Sequence, residues 1–166
     1  MALTKIVSGG QTGVDRGALD AALEAGFPCG GWAPEGRAAE DGPIHERYPL
    51  QVLAGAGYEE RTLRNVIDSD GTAILYSGML EGGTRQTMVH CVAHGKPFEL
   101  VDASRAGPRD AAAKLAAFIE HHRLAVLNIA GPRASKWPEA YQYAHSTLRH
   151  LLSRGSDSVI PAKTGG

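Results

Sequence analysis

Lys5-Ile6-Val7-Ser8-Gly9-Gly10-Gln11-Thr12-Gly13-Val14-Asp15-Arg16 decides the fold reading of this chain. An apolar run ends in glycines, and a helix-like pattern begins at once. The run reads as a buried strand over 4–9. Ala18, Ala21, Ala22 and Ala25 read as one side of a helix over 13–25 that packs closely on a sheet, with Gly26 as its C-cap. A strand end, a glycine turn and a helix start gather free backbone N–H groups and the positive end of a helix dipole at one place. That combination suits an anion.

The same arrangement recurs twice. Gly82-Gly83-Thr84 follows Thr72-Ala73-Ile74-Leu75-Tyr76-Ser77, and Gly131-Pro132-Arg133-Ala134-Ser135-Lys136 follows Val126-Leu127-Asn128-Ile129-Ala130. Three such turns at one edge of a sheet would cradle a phosphate-bearing ligand. Elsewhere a short strand is expected over 29–32 and another over 97–101. Helices are expected over 59–69, with Leu63, Val66 and Ile67 on one face, and over 84–94, with Met88, Cys91 and Val92 inward. Two more are expected over 109–122 and over 137–153, the last with Tyr141, Ala144, Leu148, Leu151 and Leu152 inward. The alternation predicts an α/β domain of three layers, with helices on both faces of a mostly parallel sheet of about five strands. The expected strand order is 2-1-3-4-5 or a relative of it, with the switch point between the strands at 4–9 and 72–77. One domain spans 1–153, followed by a polar tail over 154–166 that is expected to be mobile. Residues 33–58 lack periodicity apart from a candidate edge strand near 49–53. A loop of that length suggests a cover over the ligand site.

Bulk properties narrow the function classes. A hydrophobic content of 43% and a charged content of 21% are ordinary for a globular protein. A net charge of −1 and 6% aromatic residues argue against nucleic acid as a partner. Apolar runs are too short to span a bilayer, and the start of the chain lacks a signal-peptide pattern, so a cytoplasmic protein is expected. Two cysteines, Cys29 and Cys91, are too few for a disulfide framework or a structural zinc site. No metal-ligand set is expected.

The first turn offers Gly9, Gly10, Gln11, Thr12 and Gly13 for close backbone approach, with Asp15 and Arg16 in the first helical turn. Ser77, Gly82, Gly83, Thr84 and Arg85 form either a second phosphate or ribose contact or a simple helix start capped by Thr84. At Gly131, Arg133, Ser135 and Lys136 two cations cluster at an expected helix start. The dipole disfavours that arrangement unless an anion is bound, although Lys136 also suits solvent. Trp32 either stacks on a planar ring or packs at a sheet edge. Pro34, Glu35 and Arg37, with Glu40 and Asp41 after them, either close over a ligand or form an exposed charged loop. His90 and His94 stand four apart on a helix without a third ligand, and an exposed face is expected for them. No catalytic residue is assigned.

From Ile6 to about Leu152 the chain resembles the molybdenum-cofactor carrier protein family, part of a Rossmann-like group that also holds lysine-decarboxylase-like phosphoribohydrolases. The resemblance lies in Ser8 to Arg16, in Gly30-Gly31-Trp32-Ala33-Pro34-Glu35-Gly36-Arg37-Ala38-Ala39-Glu40-Asp41-Gly42-Pro43-Ile44, and in Arg61-Thr62, Asn65-Val66 and Asp68-Ser69-Asp70. It continues in Gly82-Gly83-Thr84 and Gly131-Pro132-Arg133-Ala134-Ser135. It implies a Rossmann-like fold and a non-catalytic homo-oligomeric carrier. Such a carrier binds molybdopterin-based molybdenum cofactor, shields it and passes it to apo-molybdoenzymes. The first and third turns would take anions, and Trp32 to Arg37 would form a wall or lid. The alternative is a nucleoside 5′-monophosphate phosphoribohydrolase or other nucleotide-binding module. Against the hydrolase stands Glu81-Gly82-Gly83-Thr84-Arg85-Gln86-Thr87, where Gln86-Thr87 replaces the acidic pair expected beyond the threonine and leaves the base that would activate water unassigned, although Asp15, Glu35 or Glu81 could act as an acid or base.

Overall fold

Each apolar run becomes a strand, and the small-residue stretches become the helices that cover it. The structure, a computed structural model, describes residues 2–164, with side chains through Arg154. In chain order the elements are β1 Lys5–Val7, α1 Val14–Glu24, β2 Cys29–Gly30, β3 Trp32–Ala33, a 3-10 turn at Glu35–Arg37, β4 Gln51–Val52 and α2 Tyr58–Ile67. They continue as β5 Gly71–Tyr76, α3 Gly82–Ala93, β6 Phe98–Asp102, α4 Pro108–His122, β7 Val126–Ala130 and α5 Ala140–Thr164. The expected tail over 154–166 falls, from Gly155 onward, outside the residues with described side chains.

The main sheet has five strands in the order β2-β1-β7-β5-β6, and every pairing is parallel. The expected α/β architecture is therefore present, but the expected order is corrected. The last strand enters between the first strand and β5. Burial explains the insertion. Leu127 is fully buried and Ile129 nearly so, and Asn128 between them is also buried, so β7 suits the centre of a sheet covered on both faces. β2 has only two residues, and β6 is half-exposed along most of its length, which suits the edges.

α1, α4 and α5 pack together on one face, and α2 and α3 pack against each other on the other. The main core joins Ile6, Val14, Leu115, Ile119, Leu127, Leu148 and Leu151. On α5, Ala144, Leu148, Leu151 and Leu152 are inward as expected. Gly17 lets α1 approach α5 closely, since a Cβ there would lie 2.5 Å from the Tyr141 carbonyl oxygen.

The stretch 33–58 is less irregular than its sequence suggests. The strand expected over 29–32 divides, and its second part, β3, pairs in parallel with β4 as a separate two-stranded sheet. Ile44, Tyr48 and Leu50 pack with Leu19 and Ala33 in a second small core. α3 is turned relative to the expectation: His90 is buried, while Val92 is 65% exposed. Thr84, Thr87, His90 and Cys91 form its inner face, because the cavity above the sheet accepts polar side chains there. Among the described residues no helix is long and apolar enough to cross a membrane.

Candidate functional site

The three glycine turns follow β1, β5 and β7, which lie side by side in the order β1-β7-β5. The first and third turns interlock. Gly13 has φ 84°, and a Cβ on it would lie 2.5 Å from the Pro132 carbonyl oxygen and 2.8 Å from the Ala134 nitrogen. Only glycine meets both the conformation and the space. Val14 N–H donates to the Pro132 carbonyl at 3.2 Å, and Ala134 N–H donates to Thr12 Oγ1 at 3.1 Å. The third turn does not open a helix directly, contrary to the sequence reading. Lys136 and Trp137 N–H groups turn back to the Arg133 carbonyl, and α5 starts only at Ala140. Pro138 explains the delay, because the residue before a proline is pushed away from helical conformation. Arg133 and Lys136 therefore face no helix dipole.

Above these strand ends, between α2 and α3, lies a cavity of about 930 Å³, a size that suits a cofactor or nucleotide. Ten residues expected from sequence line it: Gly9, Gln11 and Asp15 from the first turn; Ser77, Gly82, Gly83 and Thr84 from the second; Gly131, Arg133 and Lys136 from the third. α3 begins at Gly82, so its first N–H groups open at the cavity. Sequence reasoning assigned no site role to the rest of the lining. Arg61 and Asn65 come from α2, Thr87 and His90 from α3, Asn128 from the floor, and Tyr58 and Trp137 supply aromatic surface. The sequence signal for Arg61 and Asn65 was their place among the family-like motifs.

Arg61 and Asp15 set the electrostatics of the inner wall. Arg61 is 5% exposed and donates from Nη1 to the Gly9 carbonyl. Gly9 has no side chain to obstruct that approach, since a Cβ would run into the guanidinium. Burial lowers the Arg61 pKa, with the charge of Asp15 acting against it. Burial raises the Asp15 pKa, opposed by the Arg61 charge and by the Gln11 N–H, which donates to Asp15 Oδ2 at 3.2 Å. Asn128 is also buried and donates from Nδ2 to Thr72 Oγ1 at 3.3 Å.

The other expected site residues lie outside the cavity lining. Arg16 donates to the Gly10 carbonyl at 3.0 and 3.1 Å, and to Asp41 at 2.7 and 3.1 Å. Trp32 donates from Nε1 to Asp68 Oδ2 at 2.7 Å, and the Arg64 guanidinium lies 4.8 Å from its ring centre. Pro34 is buried at the head of the 3-10 turn, and Glu35 accepts from Gly55 N–H at 2.9 Å. Arg37 donates to four carbonyls of its own loop, those of Ile44, His45, Tyr48 and Leu50. Thr12 and Ser135 both donate to the Glu40 carboxylate, and Arg85 is exposed on α3. Among the described residues no group of three His, Cys, Asp or Glu side chains is placed to hold a metal ion.

Residues 6–152 match the family model described as the circularly permutated YpsA SLOG family. A crystal structure from Syntrophus aciditrophicus SB, of a protein called "putative molybdenum carrier protein", is similar at 46% identity and a TM-score of 0.88. The match covers 91% of this chain and 96% of that one. No curated protein matches the chain.

Proposed function

The chain belongs to the circularly permuted YpsA SLOG family, and from that premise we propose that it is a cytoplasmic, non-catalytic carrier of molybdenum cofactor. One observation carries the reading. A single cavity of about 930 Å³ joins all three glycine turns to three cations, Arg61, Arg133 and Lys136. The cofactor's terminal phosphate suits the charges of Arg133 and Lys136 at the third turn. Its planar pterin suits the aromatic surfaces of Tyr58 and Trp137, with Asp15 as an acceptor for its polar edge. Carriage in this reading rests on the phosphate and the ring. The carrier is a homo-oligomer and hands its cargo to apo-molybdoenzymes. The similar protein's name, which speaks of a molybdenum carrier, supports the same assignment.

The deciding experiment is an anaerobic titration of the protein with molybdenum cofactor, competed by AMP and read by pterin fluorescence after oxidation. Saturable binding that AMP does not displace is expected. Absence of binding, or ready displacement by AMP, would overturn the reading in favour of a nucleotide ligand and call for an assay of N-glycoside hydrolysis.

A further inference from the structure

Glu40 lies on the loop between the 3-10 turn and β4, yet its carboxylate sits on the first and third glycine turns. Oε1 accepts from the Thr12 hydroxyl and, at 3.1 Å, from Ser135 N–H; Oε2 accepts from the Ser135 hydroxyl at 2.6 Å. Its own backbone N–H donates to Gln11 Oε1 at 2.9 Å. The Ser135 and Thr12 donors hold the Glu40 pKa below the ordinary carboxylate range, helped by the nearby Arg133 charge. Three converging donors beside a cation are what an oxyanion needs. These donors come from the turns expected from sequence to bind anions. Glu40 itself is solvent-exposed, so its side chain can swing out without disturbing a core.

We propose that the Glu40 carboxylate is an internal stand-in for a ligand phosphate: Thr12, Ser135 and Arg133 form an oxyanion site, and a phosphate monoester entering beside Gln11 and Arg133 expels Glu40 from it. The proposal rests on the carrier reading only in taking the ligand to bear a phosphate. Gln11 and Arg133 belong to both the cavity lining and the surroundings of Glu40, so the two sites adjoin. A phosphate monoester carries a charge of about −1.5 to −2 and three free oxygens, against a single charge and two oxygens for the carboxylate. It is the stronger partner for Arg133. Expulsion removes one of the ties of the 38–44 segment to the first turn and the whole of its tie to the third. Binding then loosens this strap, in contrast to a lid that closes on its cargo.

The test is calorimetric titration with inorganic phosphate of the wild type, Glu40→Gln and Asp41→Asn, joined to hydrogen exchange over 38–44. Glu40→Gln is expected to bind phosphate about tenfold more tightly, because it keeps the shape and removes the competing charge. Asp41→Asn, which removes a neighbouring charge without freeing these donors, is expected to bind as the wild type does. Phosphate is expected to speed exchange over 38–44 in the wild type. Glu40→Ala repeats the test with no carboxamide left on the donors. Equal affinity in the wild type and both Glu40 variants overturns the proposal, as does an equal gain in Asp41→Asn or slowed exchange over 38–44. Parallel titrations with AMP and with molybdenum cofactor identify which phosphate monoester profits from the Glu40 changes. Cofactor binding that is indifferent to Glu40 overturns the proposal and leaves the carrier reading standing. A Glu40 effect on phosphate without any cofactor binding does the reverse.

Discussion

Arg61 carries a buried charge whose hydrogen-bond acceptor is a main-chain carbonyl, that of Gly9, while the carboxylate facing it, Asp15, shares only its field. Removing the guanidinium leaves that carbonyl unpaired and Asp15 without its balancing charge. Arg61→Met should therefore cost about 2–3 kcal/mol in urea unfolding. The loss should also depend on pH in a defined direction. Asp15 keeps its proton to higher pH in the folded chain than in the unfolded one, so its contribution is most favourable below the ordinary carboxylate range. It declines as pH rises through the raised folded value. Without Arg61 that decline extends further upward. The penalty in the variant should be larger at about pH 8 than at about pH 5, and a penalty that is flat or reversed would remove Asp15 from the explanation. Arg133 is a different case, half-buried at the cavity edge. Arg133→Ala should leave folding nearly unchanged and weaken a phosphate-bearing ligand by roughly 1–3 kcal/mol, read by titration. Unchanged affinity would return Arg133 to the solvated surface.

The loop from Glu35 to Leu50 behaves as an element because one side chain organises it. Arg37 donates to Ile44, His45, Tyr48 and Leu50 carbonyls at 2.8–3.1 Å, which gathers the loop around a single guanidinium. Lysine has one ammonium and cannot reach four carbonyls in this fork geometry. Both Arg37→Ala and Arg37→Lys should lower stability by about 2 kcal/mol and speed hydrogen exchange over 38–50. Full rescue by lysine would show that charge alone suffices. Such a role was not legible in the sequence, where Arg37 reads equally as a ligand contact. Strands and helices were legible because apolar runs and helical spacing report burial directly. Arg61, Asn65 and His90 were not, because periodicity treats polar positions as solvent-facing, whereas α2 and α3 turn them towards a cavity. Trp32 was ambiguous for a related reason: an indole satisfied by Asp68 and covered by Arg64 looks, in sequence, like one left free to stack. The glycine turns were legible as a set. What the sequence did not disclose is that the first and third donate to Glu40, since those contacts join positions 28 and 95 residues apart.

At the scale of the whole molecule, the order β2-β1-β7-β5-β6 has a simple origin. If β7 and α5 are moved in front of β1 and the strands are renumbered, the order becomes 3-2-1-4-5, the opening of the doubly wound dinucleotide-binding arrangement. The third glycine turn then takes the place of the first strand–helix turn of that arrangement, at the centre of the sheet. The molecule is already built for the exchange. β7 pairs in parallel with β1, α5 packs on α1, and Leu3 shares the core with Leu151 and Leu152, so the body of α5 ends near the start of β1. A chain cut between α4 and β7, at the left-handed Arg123, and closed by a short Gly/Ser linker from Arg154 to Leu3 should therefore adopt the same sheet and keep the same cavity. It should also fold faster. Ser8 to Ile129 and Glu24 to His145 now span 121 residues, and in the permuted chain these separations fall to about thirty residues plus the linker. Rates of two-state folding rise as contacts shorten in sequence. Stopped-flow refolding should show a faster main phase for the permuted chain with a similar unfolding midpoint. A permuted chain that folds no faster would mean that the β1–β7 pairing forms after the rate-limiting step. One that fails to fold would mean that α5 beyond Arg154 contributes more to the fold than a link between its end and β1.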